Sequence, residues 1–118
     1  MNPLFKPGKN IALKIPSRDY QETVAFYRDV LQLPELGESQ DGALGFDFDG
    51  KFLWLDNVAN LTEAEIWLQI ETSDTTAAAE HFHKYQINRC DEIETLPPGF
   101  DGFWIKNPAS LVHLVSKS

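Results

Sequence analysis

The sequence predicts a mixed α+β chain made of two βαβββ modules in tandem. Two observations carry this. The first is a repeated strand-to-helix phase: sliding Ile11 onto Ile66 brings Leu13 onto Leu68, Ile15 onto Ile70 and Asp19 onto Asp74, and then Tyr27 onto Phe82 and Val30 onto Tyr85. The second is the pair of dipeptides Asp41-Gly42 and Asp49-Gly50, which are hairpin signals and cut the following stretch into short strands.

The elements follow in order. Asn10 to Ile15 alternates, with Ile11, Leu13 and Ile15 apolar, which is the period of a strand with one face on a core. Pro16 ends it, and Ser17 or Asp19 is expected to cap a helix near 19–31, where Tyr20, Val24, Tyr27 and Leu31 recur at helical spacing. Three strands are expected at Glu35–Ser39, Ala43–Phe48 and Lys51–Asp56, which completes a first module at about 9–57. Asn57–Thr62 reads as loop. Glu65–Ile70 alternates again, and Thr72 or Asp74 is expected to cap a second helix near 74–86, with Ala78, Phe82 and Tyr85 on one face. Cys90–Thr95, Gly102–Lys106 and Leu111–Ser116 are the remaining predicted strands, with Asn107-Pro108-Ala109-Ser110 as a turn, in a second module at about 63–117. The 118 residues fit a single domain.

Composition narrows the function. The 42% hydrophobic content, with eight Phe, three Trp and three Tyr, supplies a core. A net charge of −8 repels phosphate backbones, so no nucleic-acid partner is expected. No apolar run approaches the roughly 18 residues that span a bilayer, so no membrane partner is expected either. The single cysteine, Cys90, allows no intrachain disulfide and reads as a small packed side chain. The start, Met1 to Gly8, lacks the apolar stretch of a secretory leader, and a cytoplasmic protein is expected.

Two stretches resemble a known family. Ile11-Ala12-Leu13-Lys14-Ile15-Pro16, followed by Val24-Ala25-Phe26-Tyr27-Arg28-Asp29-Val30-Leu31, resembles the opening of the vicinal oxygen chelate superfamily, the glyoxalase/bleomycin-resistance/dioxygenase group. Phe103-Trp104-Ile105-Lys106-Asn107-Pro108, with Leu111-Val112-His113-Leu114, resembles its closing hairpin, which commonly reads Asp-Pro-x-Gly-Asn-x-x-Glu-Leu. Gln32 departs from the pattern, since a Gly is usual after the helix. The resemblance implies curled mixed sheets around a cavity, a homodimer, and in enzymatic members a divalent metal held by the first and last strands of each module.

The ligand positions do not carry over. Asn10 stands where a first-strand His is usual, Trp54 in the matching fourth-strand place, Glu65 where the second His is usual, and His113 in place of the closing Glu. Catalytic sites generally need three protein ligands, and only Glu65 and His113 bind metals well, so no metal cofactor is expected. His81 and His83, two apart on a helix, face different sides and read as solvent or packing residues. Asp47, Asp49, Asp91, Glu92 and Glu94 read as a solvated acidic surface.

Two function classes remain. In the first, a small-molecule-binding protein, Phe52, Trp54, Trp67 and Trp104 line an apolar cleft in which Lys14, Glu65, Gln69 and His113 orient the ligand, with Asn10 also among the ligand-binding residues. A bleomycin-type antibiotic is the ligand that the family and the acidic charge together bring forward. In the second, Glu65 and His113 meet as an acid/base pair, and the resemblance then implies a lyase or isomerase acting on a small carbonyl compound, or a dioxygenase-related activity. A buried ion pair tying two strands together would leave the same two residues without a chemical role.

Overall fold

The computed structural model describes residues 5–118. The reading of the chain's first residues as leader-free falls partly on positions outside these. The described chain is mixed α+β and divides into two compact units, one at residues 9–67 and one at residues 68–118 together with residues 5–8.

The first unit follows the predicted order. Strand β1 (Phe5–Pro16) leads into helix α1 (Ser17–Ala25), which continues as a π-helical turn at Phe26–Val30. Strands β2 (Glu35–Glu38), β3 (Leu44–Phe48) and β4 (Lys51–Val58) follow. They lie in the order β2-β3-β4-β1, antiparallel except for the parallel pair β4 and β1. Ile15, Val24, Phe46, Leu53 and Leu55 form the core, with Ile11, Leu13, Tyr20, Tyr27, Leu33 and Leu44 packed on it. Ile11, Leu13 and Ile15, with Leu53 and Leu55, are odd positions of β1 and β4, as alternation requires.

Three local details differ from expectation. Neither Ser17 nor Asp19 caps α1. Pro16 takes the N-cap position without a side-chain bond, while the Ser17 hydroxyl donates to Asn57 Oδ1. Proline just before the first turn supplies a fixed φ in place of a cap. The helix also ends differently: Leu31 N–H reaches Phe26 O at 2.9 Å, five residues back, and Gln32 then turns at φ 56°. The two Asp-Gly turns are not alike. Asp49 and Gly50 both have positive φ (55° and 82°), the mirror-image two-residue turn. At the other, only Gly42 is left-handed, and Ser39 N–H donates to Ala43 O around a three-residue loop.

The second unit holds most of strand β5 (Glu65–Thr72), helix α2 (Thr75–Lys84), and strands β6 (Gly102–Lys106) and β7 (Val112–Lys117). Its strands run β5-β7-β6, with β5 and β7 parallel and β6 and β7 antiparallel. Asp74 caps α2 by accepting from Ala77 N–H at 3.0 Å, so of the two expected caps it is Asp74 that serves. Ala78, Phe103, Ile105 and Val115 form the core, with Ile70, Ala79, Phe82 and Ile87 against it. Phe5, at the start of β1, packs its ring 5.2 Å from Phe82 and 5.8 Å from His81. Strand β1 therefore begins well before the predicted Asn10.

The strand predicted at Cys90–Thr95 does not form. Arg89 makes an isolated bridge with Ile105, and Asp91–Ile93 is a short 3-10 turn. The chain peels away because its side chains and carbonyls take over Trp104. The Trp104 backbone N–H donates to Asp91 Oδ1 at 3.2 Å, and its indole N–H to Glu94 O at 3.0 Å. This module is βαββ plus one rung of a fourth strand.

Candidate functional site

The parallel register of β1 and β4 decides what shares a face. Asn10 lies opposite Phe52, Ala12 opposite Trp54 and Lys14 opposite Asp56. The antiparallel register of β3 and β4 adds Gly45 opposite Trp54 and Asp47 opposite Phe52. Partners in register point the same way, so these residues form the face of the first unit turned away from its core.

The face is aromatic with a few fixed polar groups. Trp54 donates its indole N–H to Asn10 Oδ1 at 2.8 Å, and its ring stacks with Phe52 at 6.1 Å between centroids. Room for this indole comes from Gly45: a Cβ there would stand 2.7 Å from Trp54 Cζ3 and 2.9 Å from Cε3. Lys14 is 8% exposed. Its ammonium donates to Asp56 Oδ2 at 2.5 Å and lies 4.1 Å from the centroid of the Trp67 ring. An ammonium out of water needs such an anion, and the indole face adds quadrupole attraction. Trp67 in turn donates its indole N–H to Glu65 Oε1 at 3.0 Å.

The structure thus brings together Asn10, Lys14, Phe52, Trp54 and Trp67 of the expected site. Sequence reading missed Asp56 and Gly45. Asp56 stands two residues after Trp54, so strand alternation alone would have placed it on this face. Nothing in the sequence marks Gly45 as the bed of the indole.

Three other expected site residues lie in the second unit and are placed differently. Gln69 donates to Ser116 Oγ at 3.0 Å. Trp104 is 5% exposed, its indole N–H held by the Glu94 carbonyl, so its ring is a packing element. His113 lies in register with Leu68 and Ile105, on the same side as the core residue Val115. Its Nδ1 sits 3.1 Å from Leu111 O; a carbonyl only accepts, so Nδ1 carries the proton.

Glu65 and His113, expected as an acid/base pair, lie in different units, and each has another hydrogen-bond partner. Within its own unit His113 has the phase of Leu68 on β5. The Glu65 carboxylate instead accepts from Trp67, and the His113 imidazole donates to a backbone carbonyl.

A divalent metal does not fit the residues present. Asn10 Oδ1 is taken by the Trp54 indole, and position 54 offers no metal-ligand atom. Among the described residues no three His, Cys, Asp or Glu side chains come together. Cys90 is buried, and burial pushes its thiol pKa up from the ordinary value, which suits packing and not nucleophilic attack.

No protein-family model matches the sequence, and no curated protein matches it. Solved structures do. A glyoxalase/bleomycin resistance protein/dioxygenase superfamily member from Vibrio splendidus 12B01 aligns over 99% of this chain and 100% of its own, at TM-score 0.65 and 14% identity. The Mn(II)-bound glyoxalase from Novosphingobium aromaticivorans aligns over 98% of this chain at TM-score 0.67 and 19% identity, and the 2,3-dioxygenase LapB from Pseudomonas sp. KL28 over 100% at TM-score 0.61 and 18% identity. The chain spans only 40% and 42% of those two proteins. The fold is that of the vicinal oxygen chelate superfamily.

Proposed function

We propose that the chain is a glyoxalase-fold protein that binds a small aromatic molecule on the face built by Phe52, Trp54 and Trp67, without metal chemistry. One observation carries the reading: the place where the fold family would put a metal ligand on β1 is occupied by an amide that pins an indole, and the surrounding face is aromatic. Flat rings offer stacking area at little entropic cost, and Asn10 and the Lys14–Asp56 pair supply the polar groups that orient a ligand. The lyase or isomerase reading needs Glu65 and His113 to act together, and each is engaged with another group, Trp67 and the Leu111 carbonyl.

The indole N–H resonances test this. Neutral and acidic single-ring aromatic compounds would be titrated into the protein while the three indole signals are followed. The expected result is that a binding compound moves the Trp54 and Trp67 signals and leaves Trp104 in place, and that Trp67→Ala weakens binding about tenfold, the scale of one stacking contact. If no compound moves the Trp54 or Trp67 signal at concentrations of about a millimolar, an affinity too weak for specific recognition, the reading fails.

A further inference from the structure

The other face of β1 carries a cavity. It has a volume of about 520 Å³ and is lined by Leu13, Ile15 and Pro16 from β1, by Asp19, Glu22, Thr23, Phe26 and Tyr27 from α1 and its π-helical continuation, and by Ala64, Glu65 and Ile66 at the start of β5. All of these belong to the first unit. Leu13 and Ile15 alternate with Ala12 and Lys14, so the groove does not open onto the aromatic face of Trp54.

Its walls are apolar and its charge is of one sign. Phe26 and Ile66 are 46% and 49% exposed, a large apolar surface to leave in water. Phe26 and Tyr27 meet edge to face at 5.2 Å. Asp19, Glu22, Thr23 and Phe26 follow the spacing that puts residues on one face of a helix. Asp19, Glu22 and Glu65 are the charged residues of the lining, and no Lys, Arg or His is among them. The volume falls in the range of small-molecule sites, and two residues of the π-helical turn, Phe26 and Tyr27, line it.

We infer that this groove binds a small organic cation, an amine carried on an aromatic or branched aliphatic frame. The apolar body rests between Phe26, Tyr27 and Ile66, and the ammonium faces Asp19 and Glu22. An anion is excluded by the carboxylates. Asp19 already has the Arg18 guanidinium 3.5 Å away, so the attraction that a cation gains here comes mainly from Glu22. A cation gains both Coulomb attraction and the ring faces of Phe26 and Tyr27. The inference does not rest on the aromatic face of Phe52, Trp54 and Trp67, since the two sites share none of the residues that hold the ligand.

The test uses para-tert-butylbenzylamine and para-tert-butylbenzyl alcohol, which have the same frame with and without the charge. Backbone amide shifts would be followed during titration of the full chain. The expected result is that the amine moves the signals of residues 22–27 and 64–66, binds about tenfold tighter than the alcohol, and weakens as salt is raised to about 0.5 M. Replacing both acids, Asp19→Asn with Glu22→Gln, is expected to erase the preference for the amine while the alcohol binds as before. Both positions are exposed, so the fold is kept. Ile66→Lys, also at an exposed position, is expected to abolish amine binding. Equal binding of amine and alcohol, shifts confined to Phe52, Trp54 and Trp67, or a response only to basic peptides and not to the amine would each overturn the inference.

Discussion

Tyr20 shows how a single side chain ties helix to sheet. Its hydroxyl donates to Leu55 O at 3.2 Å, and burial, then the carboxylates of Asp56 and Glu38, push its pKa above the ordinary value near 10. A phenol whose pKa rises on folding stabilises the fold fully below about pH 10 and loses that contribution as pH climbs through the raised value. Tyr20→Phe is therefore expected to cost about 1 kcal/mol near pH 7, for the lost hydrogen bond, and to lose stability less steeply than the wild type above about pH 10. Urea unfolding at the two pH values measures both. Residue-scale legibility was uneven for a physical reason. Trp54 was placed correctly because the core residues Leu53 and Leu55 flank it. His113 was misplaced because β7 buries both of its faces: Val112 and Val115 have opposite phases, yet both are buried, so alternation there gives no direction.

At the scale of elements, the end of the first helix is the informative case. Gln32 adopts φ 56° directly after the π-helical turn, in the left-handed region that glycine enters without steric cost. Gln32→Gly is expected to stabilise the protein by about 1 kcal/mol, seen as a rise in Tm of roughly 4 °C. An unchanged or lowered Tm would mean that the Gln32 side chain makes a compensating contact. The departure of Gln32 from the family pattern was visible in the sequence; the π-helical turn before it was not, because apolar spacing over 26–31 does not distinguish a five-residue from a four-residue repeat. The missing strand at Cys90–Thr95 has a similar cause. Alternation predicts that a segment can be a strand, but not that Asp91 and Glu94 would bind Trp104 in place of a ladder.

For the whole molecule, the order of strands and helices was readable because the phase of the first strand and helix is repeated in the second half, and that order leads to the same fold as proteins of 14% to 19% identity. Assembly is a separate matter. Leu36 and Phe48 on the outer hairpin, with Val30 and Leu31 before it, leave apolar side chains exposed. Covering them in a symmetric pair would remove both the apolar surface and the unpaired edge of β2. A homodimer is the expected species, and sedimentation at tens of micromolar, where a specific dimer is populated, would count against it by returning a monomer.

The indole of Trp54 lying against Gly45 has a consequence for how this chain can change over time. A methyl group at position 45 would enter the space of the ring, so an alanine there becomes tolerable only after position 54 has lost its tryptophan. The reverse order is open, since a smaller residue at 54 leaves glycine merely uncovered. Descendants of this sequence that carry any side chain at position 45 should therefore lack Trp at 54, and with it the hydrogen bond that occupies Asn10. In such lineages Asn10 no longer holds an indole, and that position can mutate toward a different donor set. The glycine thus acts as a historical latch: while Trp54 remains, the route to another chemistry on this face is closed at position 45 first.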